Sequence, residues 1–207
     1  MSRVFFAILT LLLALGSPAA AEEAVSPSET VARLNATLLD VMKNAERLGY
    51  EGRYERLAPV LSETFNFALM ARVSVGRHWS KLSAAQRERL VDAFTRMSIA
   101  TFAARFNGYA GEQMEVLGEE AGLRQSVLVR NQLVKSDGEV IPLHYLMRRF
   151  KAGWRAVDIH LDAKFSEVAT KRAEYTSVIA REGFDALISG LEQRIARMAA
   201  GQAGDQG

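Results

Sequence analysis

Few residues of this 207-residue chain are arranged as chemistry would need them. The three histidines are His78, His144 and His160, and only the third alternates with carboxylates, as Asp158, His160 and Asp162. An extended strand places alternate side chains on one face. With His144 opposite His160 across a hairpin, the four groups form a patch able to bind a metal, shuttle a proton or resist double protonation of the two imidazoles. A solvated sheet face accounts for the same spacing with no chemistry at all. The other familiar constellations are missing. There is no cysteine, which removes thiolate metal sites, disulfides, a cysteine nucleophile and a lipidated N-terminal cysteine. Neither a Gly-x-Ser-x-Gly elbow nor a glycine-rich phosphate loop occurs.

The elements that must position these residues follow from periodicity. Ser26-Pro27-Ser28-Glu29 reads as a capping box with proline at the first helical position. Val31, Leu34, Leu38, Val41 or Met42, Ala45 and Leu48 recur behind it at helical spacing, and Gly49 ends the helix. A second helix is expected over 53–63 and a third over 65–76, with Phe67 and Met70 on one face. Ser83-Ala84-Ala85-Gln86 is another capping box, opening the longest helix, 84–107. Leu90, Phe94, Met97, Phe102 and Phe106 give that helix a stripe apolar enough to be buried along its length.

From Glu112 the period changes to two, predicting antiparallel strands over 112–120, 123–135, 139–150 and 154–162. A two-residue Ala121-Gly122 turn pairs Met114 with Val129 and Val116 with Val127. Ser136-Asp137-Gly138, with Gly138 left-handed, pairs Val129 with Tyr145 and Leu133 with Ile141. Lys151-Ala152-Gly153 pairs Met147 with Val157, Tyr145 with Ile159 and Leu143 with Leu161. One face is then apolar, and Arg130, His144, Arg148, Asp158 and His160 share the other. Ser166 caps a helix over 167–181, Gly183 breaks it, and a last helix begins at Phe184. The expected fold class is α+β: helices packed on one face of a four-stranded antiparallel meander sheet, enclosing an apolar cavity. Periodicity does not distinguish a filled core from a hollow one.

The ends and the charge set the context. Arg3, the apolar run 4–15 and Ser17-Pro18-Ala19-Ala20-Ala21 form a signal peptide cleaved after Ala21. The run is shorter than the ~20 residues that span a bilayer. Residues 22–198 are expected to form one domain and 199–207 a flexible tail. Export without disulfides or a lipid anchor fits a Gram-negative periplasm. Without Arg3 the side chains number 25 basic against 24 acidic. That balance gives no drive toward nucleic acid or an anionic membrane.

Read in order, the motifs resemble the MlaC family of periplasmic phospholipid-binding and toluene-tolerance proteins. They are Phe65-Asn66-Phe67 with Met70-Ala71-Arg72, Gly76-x-x-Trp79, Ser83-x-x-Gln86-Arg87, Phe106-Asn107-Gly108-Tyr109, Leu143-His144-Tyr145-Leu146 and Gly153-Trp154-Arg155-Ala156-Val157-Asp158. Ser166 and Arg172 stand at the family's serine and arginine positions. The wording Ser166-Glu167-Val168-Ala169-Thr170-Lys171-Arg172-x-Glu174-Tyr175 is similar to the hopanoid-associated, HpnM-like branch. Asn66 departs from the family's usual Asp, and Phe102 from its common Tyr.

The resemblance implies a lipid carrier without cofactor or metal. It would exchange phospholipid, or a hopanoid-type lipid, between an outer-membrane lipoprotein complex and an inner-membrane ABC transporter complex, serving outer-membrane lipid asymmetry. Phe67, Met70, Phe94, Met97, Phe102, Tyr145, Met147 and Val157 are the expected cavity lining, and Arg72 is a candidate head-group contact. Arg72, Trp79 and Asp158 are expected to brace the structure, head-group contact being the alternative for Arg72. The alternatives are an enzyme acting on an isoprenoid or steroid-like lipid, centred on Asp158, His160 and Tyr145, and a lipid-free transporter adaptor.

Overall fold

Two serines start the two best-defined helices in this computed structural model, which describes residues 25–162 and 164–201. Ser26 and Ser83 each accept a hydrogen bond from the backbone three residues on, at 3.1 and 3.2 Å. Glu29 and Gln86 return the favour to the cap backbone at 2.7 and 2.9 Å, so each capping box satisfies two N–H groups that a helix start leaves free. That bonding holds the Glu29 carboxyl below its usual range. The signal peptide, Ala163 and 202–207 of the expected tail lie outside the described residues.

The helices are α1 (Pro27–Lys43), α2 (Ala45–Thr64), α3 (Phe67–Ser74), α4 (Ala84–Arg105), α5 (Glu167–Glu182) and α6 (Phe184–Ala199), with a 3-10 turn at Gly76–Lys81. Two boundaries differ from expectation. The first helix ends at Asn44, whose side chain bonds back to the Asp40 carbonyl at 2.8 Å, and not at Gly49. Gly49 instead kinks α2, with φ of 61° that only glycine adopts cheaply. The third helix is cut short by Gly76, also left-handed, and a Cβ there would lie 2.9 Å from the Arg172 guanidinium of α5. Asn66 caps α3, its side chain accepting from the Leu69 backbone at 3.0 Å.

The sheet has five strands, not four: β1 (Gln113–Ala121), β2 (Ser126–Val134), β3 (Val140–Phe150), β4 (Gly153–Leu161) and β5 (Phe165–Ser166), neighbours in that order and all antiparallel. The β2–β3 register is as expected, Val129 facing Tyr145 and Leu133 facing Ile141. The β1–β2 register is not. Met114 pairs with Leu133 and Val116 with Asn131, because the connection is the four residues 122–125 and a bulge falls at Leu117. Arg124 and Gln125 both adopt left-handed backbone, φ 53° and 61°, which sequence patterns seldom signal in side-chain-bearing residues. A second bulge removes Val157 from the expected pair: Met147 faces Ala156, while Tyr145–Ile159 and Leu143–Leu161 hold. The helix-facing side also includes one polar residue of β2, in step with Val127, Val129 and Leu133. Asn131 is fully buried and accepts from Asn35 of α1 at 2.7 Å.

The core lies between that face and the helices. Phe65, Phe94, Leu34, Leu38, Leu57, Leu61, Tyr145 and Tyr175 are fully buried in it. Ring pairs run through it from Phe65 to Phe67, Phe102 and Tyr145 at centroid distances of 5.4, 5.8 and 6.0 Å. Among the described residues no helix is long and apolar enough to cross a membrane.

Candidate functional site

The core is not filled at one end. A cavity of about 610 Å³ opens between the C-terminal half of α4, the loop that follows it, the start of α5 and the ends of β2, β3 and β4 nearest the β2–β3 turn. Its deeper wall carries Phe65, Phe67, Met70, Phe94 and Phe102 from the helices, and Leu133, Ile141, Leu143, Ile159 and Leu161 from the sheet. Its outer rim carries Arg105, Tyr109, Glu112, Lys135, Glu167 and Lys171.

The row that α4 presents is Phe94, Ser98, Thr101, Phe102 and Arg105, at helical spacing on one face. Ser98 and Thr101 do not make this wall polar. Each hydroxyl donates to the carbonyl four residues back, Phe94 and Met97, at 2.8 Å. Of the residues singled out from sequence, Phe67, Met70, Phe94 and Phe102 line the cavity. Met97 is one position off the row and packs against the core. Tyr145 and Met147 are fully buried further along β3, Val157 is displaced by the β4 bulge, and Arg72 is exposed on α3; none of the four lies on the wall. The sheet residues and the rim were passed over, although alternation along β3 puts Ile141 and Leu143 on Tyr145's face.

Carboxylates answer most of the rim cations. Lys135 bonds Glu139 at 2.5 Å, which raises its pKa, with Asp137 and Glu112 adding to the field. Lys171 lies 3.5 Å from Glu167. Arg105 has no ion-pair partner among the described residues. Deeper in the protein, burial pushes the Tyr145 and Tyr175 phenols well above the usual range, and neither hydroxyl has a hydrogen-bond partner among the described residues.

Asp158 joins sheet to helix beside the cavity. Its carboxylate accepts from Ser166 Oγ at 2.5 Å, from the Val168 backbone at 3.0 Å and from the Ile159 backbone at 2.8 Å. It thus anchors the start of α5, whose Glu167, Val168 and Lys171 are cavity wall. His160 Nε2 is 3.4 Å from the same carboxylate. His144 does face His160, and its Nδ1 sits 3.2 Å from the Asn131 nitrogen and 3.0 Å from the Asn131 oxygen, standing in for a ladder bond. Among the described residues no three His, Asp or Glu side chains converge as metal ligands. This patch braces the strands and the helix start.

A helix layer on an antiparallel sheet, with an apolar cavity left between the layers at one end, defines the class: an α+β protein with an apolar pocket between its two layers. The chain belongs to the MlaC family, whose model, described as MlaC protein, matches residues 32–193. A solved structure with the same fold is the phospholipid-binding protein from Ralstonia solanacearum in complex with a phospholipid. The two superpose with a TM-score of 0.73 at 21% identity, covering 84% of this chain and 99% of that one. No curated protein matches the sequence.

Proposed function

We propose that this chain is a periplasmic carrier that takes a phospholipid or hopanoid-type lipid by its apolar part into the cavity, and is not an enzyme. The observation that carries the proposal is the cavity: about 610 Å³ walled by phenylalanine, methionine and aliphatic residues. Sites for small ligands run from roughly 300 to 1,000 Å³ and are mostly apolar with a few polar groups at the edge. An acyl chain in water costs about 0.8 kcal/mol per methylene, so a lipid in transit needs such a cover. Family membership and the phospholipid bound by the Ralstonia protein support the same ligand class. Phe67, Met70, Phe94 and Phe102 would meet the apolar part, and the rim would leave the head group at the water. The expected signal peptide supports export to the periplasm, and the resemblance to the family supports exchange there between an outer-membrane lipoprotein complex and an inner-membrane ABC transporter. The HpnM-like wording around Ser166 makes hopanoid a cargo to test beside phospholipid.

Mass spectrometry of an organic extract of the purified protein tests this. Phospholipid or hopanoid at about one molecule per chain is expected, and the class recovered identifies the cargo. A lipid-free extract from protein made in a host with both lipids would overturn the carrier reading.

A further inference from the structure

The end of the sheet remote from the cavity carries a charge that the chain-wide balance hides. Antiparallel pairing brings the β1–β2 connection beside the β3–β4 hairpin, with Ser126 opposite Arg148 and Arg148 opposite Arg155. Together they present Arg124, Arg148, Arg149, Lys151 and Arg155, and neither 121–128 nor 148–157 contains an acidic residue. None of the five cations is in an ion pair among the described residues; Arg155 alone is engaged, donating to the Ser62 carbonyl at 2.8 Å. The nearest acids in sequence are committed elsewhere, Glu120 to Arg130 at 3.0 Å, Glu119 to the Ser28 backbone at 2.9 Å, and Asp158 to Ser166 and the Val168 backbone.

At the tip stands Leu123, 88% exposed. The turn that displays it is built: Ser126 Oγ donates to the Leu123 carbonyl at 2.7 Å and the Gly122 N–H to the Ser126 carbonyl at 2.8 Å. A Cβ at Gly122 would lie 2.3 Å from Ser126 Oγ, so a side chain there would push that hydroxyl off the Leu123 carbonyl. An exposed leucine held on an ordered tip among unpaired arginines is what an apolar anchor with a charged surround looks like.

We infer that this hairpin end docks an acidic surface of a partner protein, with Leu123 as the anchor and Arg124, Arg148, Arg149 and Lys151 as the surround. Charge complementarity selects the occupant. Arginine's planar fork pairs two oxygens of a carboxylate at once, and four of the five cations are arginine. Position argues against a bilayer. Between Leu143 on the cavity wall and Phe150 at the hairpin, β3 runs on the order of 20 Å, so a membrane held here would lie away from the opening through which lipid must pass. A protein docked here leaves that opening free. The choice of a protein over a bilayer rests on the lipid reading, whereas the exposed leucine and the unpaired cations do not; a lipid-free extract would sink that reading, and cross-linking from Leu123 decides this one separately.

The test places a benzophenone amino acid at Leu123 in the full chain, expressed and exported in its own host and irradiated in intact cells. A covalent adduct is expected with one protein, at a peptide from an acid-rich surface. Arg148→Glu with Arg149→Glu should cut that adduct at least about tenfold, the equivalent of 1.4 kcal/mol. Exchanging the captured acidic residues for lysine should restore it. Circular dichroism of the double variant must match the parent chain. The inference is overturned by an adduct with lipid alone, by no adduct, or by one indifferent to charge reversal. Flotation of the parent chain, but not the double variant, with vesicles rich in phosphatidylglycerol would also overturn it, making a membrane the occupant.

Discussion

At the cavity end of the sheet the cations are matched by carboxylates, and at the hairpin end they are not. Lys135 has Glu139, and Lys171 has Glu167, leaving Arg105 as the one rim cation without an ion-pair partner among the described residues. The opposite end holds Arg124, Arg148, Arg149 and Lys151 with no acid interspersed. Exposed pairs such as those at the rim contribute little stability, typically under about 1 kcal/mol. Their effect is to lower the field at the opening. On the proposed function, a guest entering there would be held by its apolar part, and its head group would meet a nearly neutral rim. The unpaired end keeps its field, and a field of one sign accelerates and orients encounter with a surface of the other. On the two proposals, one end would hold and the other would meet.

The join between the ends is where the largest effect is expected. Asp158→Ala removes the acceptor for Ser166 Oγ and for the Val168 backbone, both part-buried or buried. Unsatisfied buried donors cost roughly 1–3 kcal/mol each, so a loss of about 2–4 kcal/mol is expected, read by chemical unfolding. Because Val168 and Lys171 are cavity wall, lipid content should fall too, while hairpin-end binding in the surviving folded fraction should not. A stability change below about 1 kcal/mol would show that α5 is fastened by something other than Asp158.

Filling the cavity comes next. Leu143→Trp or Val168→Trp puts an indole into the space without touching the hairpin end. Overpacking costs about 1–3 kcal/mol, and the lipid recovered per chain should drop by about tenfold. Lipid content unchanged in both variants would mean that the guest sits elsewhere.

A smaller effect is expected at the two buried phenols. Tyr145 lies on β3 between the ends and Tyr175 on α5, and burial raises the pKa of each. A raised pKa means that the folded state holds the proton more tightly than the unfolded state, whose phenols titrate near pH 10. That contribution to stability is complete below about pH 10 and is lost as pH rises above it. Tyr145→Phe with Tyr175→Phe should therefore flatten the alkaline fall in stability. Near neutrality the pair should be neutral or stabilising by about 1 kcal/mol, since neither hydroxyl has a partner among the described residues. A destabilisation at pH 7 would reveal a partner for one of them, such as a bound guest.

The same comparison shows what a sequence can and cannot disclose. The β2–β3 register was legible because Ser136-Asp137-Gly138 carries its own turn chemistry, and Gly138 adopts φ of 87°. The β1–β2 register was hidden because its turn forces Arg124 and Gln125 into a conformation usually left to glycine. Val157 was misplaced by a bulge, a one-residue event that alternation cannot display. On α4 the apolar stripe led to Phe94 and Phe102, which line the wall, and to Met97, which does not; the wall also includes Ser98 and Thr101, whose hydroxyls are satisfied within the helix. Whether the core was filled or hollow depended on how two layers diverge at one end, a property of no single element. The hairpin charge was hidden in composition, where acids placed elsewhere cancel it.

Reversing that charge should have the smallest effect on the molecule by itself. Arg148 and Arg149 are exposed and make no ion pair among the described residues. Surface substitutions away from buried networks usually stay within about 0.5 kcal/mol. Arg148→Glu with Arg149→Glu is therefore expected to leave the unfolding midpoint and the lipid content as they are, and to be felt only in association. Removing repulsion among neighbouring cations should, if anything, stabilise the fold slightly in low salt and do nothing in high salt. A loss above about 1 kcal/mol would mean that these arginines hold the hairpin together. The division between a holding end and a meeting end would then fail on the meeting side, because the cations would be structural. A stable, lipid-loaded double variant that no longer captures its partner would draw the division at full strength.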